Sequence, residues 1–308
     1  MAFRTRLALR IVLLLAFASS CVHAQDAVSL GASTPPKKEK PRRRAAIHRT
    51  PAPLTAPDFS PLLSREVPTV GARSVMIIDA KTGDALYEKN ADELRPAAST
   101  QKLLTALIVA EHGYLDQPVK VEAIDGMCEP VKLNIRSGDV YQRIELLRAL
   151  LVKSPNDVAR CLARDYAGSA EAFAEVMNER ARSLGATHSH FVNPNGLPVP
   201  GQYSSARDLS IIARAAYANP TLRSIVCQPQ IVFRYANGRT RELENTNKVL
   251  RRSPYCNGMK TGYTEAAGHC LICSGSRPGR DVIVVVLGDT KSGVWRDANA
   301  LLTWGLWM

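Results

Sequence analysis

Apolar runs separated by polar turns divide the chain into a strand-rich beginning, a helical middle and a strand-rich end. Residues 74–79 and 85–88 flank a short polar turn, which predicts a β-hairpin. Residues 281–287 begin with Asp281 and continue as an apolar run rich in valine, which predicts a strand. Residues 268–273 predict another strand before it. Strands therefore come from both ends of the sequence.

Helical signals fill the region between these strands. Residues 103–110 and 146–152 are apolar runs that predict buried helices, and Pro155 ends the second of them. Ser169 is placed to cap a helix that Gly185 closes. Another helix is expected from Ser205, with Asp208 in the place of the usual glutamate of a capping box, through Tyr217.

This order predicts an α/β protein of the α+β kind, with one sheet assembled from distant parts of the chain. Helices would cover the sheet, and the helical middle would form a second lobe. A cleft between the two lobes is the expected place for a functional site.

The first 70 residues lack the pattern of a folded core. Three arginines precede the apolar run 11–18, and small residues surround a cleavage point after Ala24, so residues 1–24 predict a secretory signal peptide. A retained membrane anchor and a lipoprotein site at Cys21 are the alternatives. Residues 25–70 are basic and rich in proline, which predicts a disordered tether. Residues 71–308 would form the catalytic domain of an exported protein of the periplasm or cell envelope.

The chain is basic, with 40 Lys and Arg against 28 Asp and Glu and a net charge of +12. Residues 25–73 hold nine of these cations and four acids. The tether is therefore suited to electrostatic contact with anionic wall polymers or a membrane surface. Nucleic acid is not an expected partner of an exported chain.

A serine and a lysine stand three residues apart where the first long helix begins. Ser99 and Lys102 would share one face of that helix. A serine hydroxyl becomes a good nucleophile when a neighbouring base takes its proton, and a lysine can be that base if burial or nearby positive charge lowers its pKa. Alone, this spacing is common and also fits a helix cap beside a solvated lysine.

Two later sequence elements favour a catalytic role for this serine-lysine pair. Ser154 and Asn156 flank Pro155 at the end of the second helix, and Lys260-Thr261-Gly262 lies in a stretch that leads toward the strand at 268–273. An earlier Lys81-Thr82-Gly83 sits between the first two strands and is interpreted as a structural hairpin turn.

In this order, the serine-lysine, serine-asparagine and lysine-threonine-glycine elements resemble those of penicillin-binding serine enzymes. From about Ser74 to near the C-terminus the chain resembles the D-alanyl-D-alanine carboxypeptidase family. Residues 79–100 look like that family's approach to its nucleophile, and residues 191–209 are similar to its stretch between the later motifs. Asn195 stands where the family usually has histidine. The resemblance implies the β-lactamase/transpeptidase-like fold, with an antiparallel sheet.

The resemblance also implies roles for eight residues. Ser99 would attack the D-Ala-D-Ala bond of a peptidoglycan stem peptide, with Lys102 as base. Ser154 would relay a proton to the leaving amine, and Asn156 would bind the substrate amide or hold Lys102. Lys260 and Thr261 would bind the terminal carboxylate, Gly262 would allow close approach of the substrate, and the backbone of Tyr263 would complete the oxyanion hole with that of Ser99. β-Lactams would be covalent inhibitors, and no cofactor is needed.

Other functions stay open from the sequence. The chain ends soon after its last predicted helix, without the C-terminal domain and anchor common among the carboxypeptidases. A D,D-endopeptidase is therefore an alternative prediction. A β-lactamase is less favoured because no E-x-x-L-N stretch lies between the later motifs. A non-catalytic wall-binding protein would require the loss of a motif, and all are present.

Six cysteines follow Cys21, an even number that permits disulfides in an oxidising compartment. A hairpin centred near Glu265 would bring Cys256 close to Cys273, the only pairing that the sequence motivates. Cys270 and Cys273 have zinc-ligand spacing but lack a second pair, and no metal is expected.

Overall fold

A computed structural model describes residues 66–308. The predicted signal peptide and most of the predicted tether lie outside these residues. Within them, no helix combines the length and the apolar content needed to cross a membrane.

The central sheet joins the two ends of the described chain. Its five antiparallel strands lie in the order β2-β1-β9-β8-β7, which confirms the predicted sheet of distant segments. Val75 of β1 faces Val286 of β9 across the register. The strands are β1 Ser74–Asp79, β2 Ala85–Lys89, β7 Cys256–Thr264, β8 Gly268–Arg277 and β9 Arg280–Asp289.

Six helices of the described chain lie on one side of the sheet and share one core, and a seventh packs on the other side. Two small antiparallel pairs that the apolar pattern does not predict lie among the first six. The helices are α1 Lys102–His112, α2 Arg143–Lys153, α3 Asn156–Ala167, α4 Ala170–Leu184, α5 Ala206–Ala218, α6 Pro220–Val226 and α7 Gly293–Trp307; the small strands are β3 Pro118–Lys120, β4 Val140–Gln142, β5 Gln230–Arg234 and β6 Thr240–Glu244.

The valine-rich run of β9 forms the predicted strand and is buried on both faces. Ile283, Val285 and Leu287 join the large core under the helical layer, whereas Val282, Val284 and Val286 join the core under α7. Alternate side chains of a strand point to opposite faces, so one apolar run serves both cores. This is why β9 lies near the middle of the sheet.

Local signals fixed several element ends. Ser169 caps α4 by accepting the N–H of Ala172, and Gly185 closes that helix. Ser205 caps α5 by accepting the N–H of Asp208. The predicted capping box is only half formed, because the Asp208 carboxylate instead accepts hydrogen bonds from the backbone of His188 and the hydroxyl of Ser189, both at 2.7 Å.

The early lysine-threonine-glycine triplet forms the turn between β1 and β2, as predicted. Asp79 Oδ1 accepts the backbone N–H of Lys81 at 2.9 Å and of Thr82 at 3.0 Å, and Gly83 takes a φ of +87°. The motif-like sequence is thus explained by a carboxylate-capped turn.

The expected Cys256–Cys273 disulfide is not formed. All six cysteines of the described residues are free thiols. The register of the β7–β8 hairpin places Cys256 opposite Gly275 and Cys273 opposite Met259. The two cysteines are therefore not cross-strand partners. The approximate hairpin centre predicted from the sequence did not give the register to the single residue.

Candidate active site

Ser99 lies in a tight 3-10 turn, Ala98–Gln101, that runs directly into α1. Residues three apart lie directly above one another along the axis of such a turn, so the side chain of Lys102 lies next to that of Ser99. Ala98 adopts a φ of +48°, an uncommon conformation for a residue with a side chain. Strain of this kind gathers at functional sites, where the surrounding structure holds it in place.

Two glycines allow other chain segments to pack against this turn. A Cβ at Gly196, which has a φ of +82°, would lie 2.1 Å from the carbonyl oxygen of Ala98. A Cβ at Gly262, on β7, would lie 2.8 Å from the backbone nitrogen of Ser99. Only glycine permits either approach, so both positions hold the serine between β7 and the 193–197 loop.

Lys102 is fully buried and contacts both Ser99 and the serine-asparagine motif. Its Nζ lies 2.8 Å from Ser99 Oγ and donates to Asn156 Oδ1 at 2.7 Å. Burial holds the pKa of Lys102 well below its usual range, and the charge of Lys260 lowers that pKa further. A lysine in this setting is readily neutral, and a neutral amine can accept the proton of a serine hydroxyl.

Asn156 is the residue that orients Lys102. It is the first residue of α3, and its Nδ2 donates to the carbonyls of Glu129 at 3.0 Å and Pro130 at 3.1 Å. With those contacts fixed, the side-chain oxygen must face Lys102. The hydrogen bond from Lys102 to Asn156 agrees with one of the two roles that the sequence left open for Asn156.

Ser154 stands at the end of α2 in a left-handed conformation, with a φ of +67°. Its hydroxyl oxygen is buried and has no hydrogen-bond partner among the described residues. Buried hydroxyls are normally paired, so an unpaired one that lines the cleft is available to a bound molecule.

Lys260 is buried behind the cleft rather than on its wall. It is 1 % exposed, and its Nζ donates to the carbonyl of Thr261 at 2.9 Å. Burial lowers its pKa to about 7. Lys260 and Lys102 are thus both buried amines. The Nζ of Lys102 contacts Ser99 and Asn156, and the Nζ of Lys260 contacts the carbonyl of Thr261.

The edge strand β7 supplies one wall of the cleft. The hydroxyl of Thr261 pairs with that of Thr246 at 2.8 Å. Tyr263 is 59 % exposed and stacks on the ring of His269, with the ring centroids 4.3 Å apart. His269 therefore supports an aromatic rim.

One cavity of about 310 Å³ collects most of the predicted residues. Six of the eight line it, and the two lysines lie behind it. The six are Ser99, Ser154, Asn156, Thr261, Gly262 and Tyr263.

Sequence reasoning missed several residues around this cavity. Thr246 and Trp295 line it from segments that carry no motif, and Lys153 lines it immediately before Ser154. Asp157 lies buried behind the cavity, where its carboxylate accepts the N–H groups of Leu133, Asn134 and Ile135. Asp157 had a usable signal, because it directly follows Asn156 of the serine-asparagine element.

Asn195 contributes through its backbone. Its carbonyl oxygen lies 3.3 Å from Ser99 Oγ, and its buried side chain accepts the N–H of Leu197. The substitution of asparagine for the expected histidine therefore leaves the contact with the serine in place.

A serine paired with a buried lysine beside the edge of a five-stranded antiparallel sheet defines an active-site-serine enzyme of the penicillin-binding class. Residues 63–291 match the family described as D-alanyl-D-alanine carboxypeptidase, and the chain belongs to that family.

Named relatives agree with this assignment. A D-alanyl-D-alanine carboxypeptidase of Mycobacterium tuberculosis is 34 % identical over 254 residues, covering 80 % of this chain and 87 % of the relative. A D-alanyl-D-alanine endopeptidase of Escherichia coli is 33 % identical over 246 residues, covering 77 % and 78 %. The crystal structure of a D-alanyl-D-alanine carboxypeptidase from M. tuberculosis superposes with a TM-score of 0.75 at 32 % identity, covering 79 % of this chain and 94 % of that one.

Proposed function

We propose that this protein is a serine D-alanyl-D-alanine carboxypeptidase that trims peptidoglycan stem peptides through an acyl-enzyme on Ser99. The observation that carries the proposal is the 2.8 Å approach of a buried lysine amine to the serine hydroxyl. Export to the periplasm or cell envelope, where such stems lie, belongs to the same proposal.

Acylation begins with proton transfer inside this pair. Neutral Lys102 takes the proton of Ser99 as Oγ bonds to the carbonyl carbon of the penultimate D-Ala. Asn156 fixes the amine at 2.7 Å, so its lone pair can face the hydroxyl. The 3.3 Å contact to the Asn195 carbonyl gives the hydroxyl proton a resting partner while Lys102 is protonated.

The negative charge that develops on the substrate carbonyl oxygen needs preorganised donors. The backbone N–H groups of Ser99 and Tyr263 are assigned this role by the family resemblance. The tight packing of Gly262 against the nitrogen of Ser99 supports it, since β7 and the 3-10 turn are held against each other. Loss of one such donor typically costs roughly 3–4 kcal/mol of barrier.

Departure of the terminal D-Ala requires a proton on its nitrogen. The Ser154 hydroxyl would pass the proton from Lys102 to that nitrogen as the C–N bond breaks, and its burial without a hydrogen-bond partner among the described residues supports this role. Water then attacks the acyl-enzyme, returns the hydroxyl to Ser99 and releases the shortened stem. These steps use only side chains, backbone donors and water.

Recognition of the terminal carboxylate is proposed for Thr261 and Lys260. The Thr261 hydroxyl lines the cavity, whereas Lys260 lies behind it. Lys260 would act at short range only if its amine left the Thr261 carbonyl; otherwise its charge acts across the strand and on the pKa of Lys102.

A D,D-endopeptidase that cuts cross-links is the second candidate, favoured by the E. coli endopeptidase at 33 % identity. The deciding experiment incubates the purified protein with pentapeptide monomers and, separately, with cross-linked dimers. Mass spectrometry should show loss of one terminal D-Ala from the monomers at the greater rate. Faster conversion of dimers to monomers would assign the endopeptidase activity, and no product from either would refute both.

A further inference from the structure

A second and larger concavity, of about 850 Å³, lies away from the serine. It forms where the β1–β2 turn, the helices α5 and α6, and the β8–β9 turn meet. It shares no lining residue with the active-site cavity. Nothing in the proposed reaction uses it.

Positive charge is concentrated in this cleft. Five cations and two carboxylates line it, a formal excess of three positive charges. Residues 66–308 together carry 29 Lys and Arg and 25 Asp and Glu, an excess of only four. The excess of positive charge around this one concavity is therefore nearly as large as that of the whole described chain. The cations are Lys81, Arg214, Arg223, Arg277 and Arg280.

The two carboxylates of the cleft already have partners. Asp79 Oδ1 accepts two backbone N–H groups of the β1–β2 turn. Asp281 accepts the hydroxyl of Tyr217 at 3.0 Å and lies 3.8 Å from Arg223. Neither carboxylate makes an ion pair with Lys81, Arg214 or Arg280.

The remaining cations have no carboxylate partner in the cleft. Arg277 donates to the carbonyl of Leu306 and packs over the ring of Trp307, so it is the cleft cation least available to a ligand. Arg214 donates to the carbonyls of Ala80 and Lys81, at 3.4 and 2.8 Å, which orient the guanidinium and carry no net charge. Arg280 has a buried Nε without a hydrogen-bond partner among the described residues. The ε-amine of Lys81 makes no hydrogen bond or ion pair in this part of the chain.

We propose that this cleft binds a ligand that carries two or more phosphate groups. Guanidinium groups present planar forks that match phosphate oxygens, and a lysine adds a mobile point charge. A single carboxylate would satisfy one arginine, whereas phosphates offer oxygens in several directions to cations from three separate elements. The volume also exceeds what one small anion would fill.

The early lysine-threonine-glycine triplet would contribute to this ligand site. The turn itself is structural, but it sets the Lys81 side chain at the cleft beside Arg214. The phosphate groups could belong to a membrane lipid or to a soluble phosphate polymer, and the experiment separates these sources.

The test uses the full chain, so that its basic N-terminal segment is the same in every sample. The variant Lys81→Gln/Arg280→Gln removes two charges from the cleft. The variant Arg234→Gln/Arg241→Gln removes two exposed charges from the β5–β6 hairpin and serves as the matched control. Calorimetry with tripolyphosphate and flotation with vesicles that contain cardiolipin, a lipid with two phosphate groups, measure the two sources, each at low and high salt.

The cleft variant should bind tripolyphosphate, the vesicles or both at least about tenfold more weakly, and the control should change by less than about twofold. A loss confined to one probe identifies the source. An equal loss in both variants, or none in the cleft variant, would overturn the proposal. Reaction with labelled penicillin should be unchanged in both variants, which shows that they are folded and separates this test from that of the serine.

Discussion

The chemistry of individual side chains depends on a small number of contacts around Ser99. The Nζ of Lys102 contacts both Ser99 and Asn156. A second amine, that of Lys260, is also buried. Each residue can therefore be assigned a separate experimental signature.

Ser99→Ala should abolish covalent labelling by a fluorescent penicillin, because no acyl bond can form without the hydroxyl. Ser154→Ala is the matched hydroxyl deletion. It should slow labelling by roughly 10²–10⁴-fold, the usual contribution of a proton-transfer group, while leaving the final stoichiometry intact. Gel fluorescence against time measures both. Stoichiometric labelling of Ser99→Ala would refute the nucleophile.

Lys102→Ala should slow acylation by every substrate, with or without a terminal carboxylate. Lys260→Ala should slow a peptide acid more than its matched amide, by roughly the 1.5–3 kcal/mol of a charge-assisted hydrogen bond. Acylation rates for the acid and amide with both variants give the comparison. Equal slowing of acid and amide by Lys260→Ala would instead assign Lys260 to the control of Lys102.

The pH profile should report both lysines. The pKa of Lys260 is lowered to about 7, so this amine is charged below that pH and neutral above it. Recognition of the peptide acid should therefore weaken as pH rises through about 7, while the amide is unaffected. Lys102 must be neutral to act, so acylation should fall at low pH.

Lys260→Ala provides the control for this profile. It should remove the alkaline decline and move the acidic limb to higher pH, because Lys102 loses a repelling charge. Rates of kcat/KM across pH with both substrates test this. An unchanged acidic limb would show that the two amines are not coupled.

At the scale of elements, the site depends on backbones that touch. Gly196 and Gly201 both have a φ of +82°, but a Cβ at Gly196 would strike the Ala98 carbonyl, whereas a Cβ at Gly201 would meet nothing within 4 Å. The two positions form a natural matched pair.

Gly201→Ala should lower the free energy of unfolding by about 1–2 kcal/mol, the cost of the left-handed backbone alone. Gly196→Ala adds an overpacking cost and should lower it by about 2–5 kcal/mol. It should also slow penicillin labelling, because the serine turn must move. Denaturant unfolding and labelling rates measure both effects; equal losses would show that the contact at Ala98 is unimportant.

The spacing of the sequence motifs predicted which residues form the site better than it predicted the contacts those residues make. Ser99 and Lys102 are close in sequence, so their pairing followed from helical geometry. The burial of Lys260 and the Thr261–Thr246 pair depend on how β7 packs against segments far along the chain. Thr246 carries no motif and no apolar period, and its place could not be inferred from one sequence. The β5–β6 hairpin was missed because most of its residues are exposed.

At the scale of the whole molecule, the residues before β1 belong to the fold. Val67 and Val70 pack against the core under α7, and the backbone of Gly71 donates to the buried Asp297 carboxylate at 2.6 Å. Isolated valines among prolines resemble a linker in sequence, so the predicted tether extended to residue 70.

Deletion of residues 25–65 should leave turnover of a small soluble peptide nearly unchanged, because their composition lacks a core-forming pattern. Deletion of residues 25–72 should lower the free energy of unfolding by roughly 3 kcal/mol or more, from the lost burial of Val70 and the lost hydrogen bond between Gly71 and the buried Asp297 carboxylate. Thermal unfolding and peptide turnover of both chains test this. A large loss of turnover in the shorter deletion would show that the tether contributes to catalysis.

The pairing of β1 with β9 bears on when the enzyme becomes reactive during its synthesis. Ser99 is made early, but the sheet that holds it closes only when β9 inserts between β1 and β8. Contacts between such distant segments form late because a long loop must first be closed. An incomplete chain therefore has a serine without a complete cleft, and acquires reactivity only as its last strands fold.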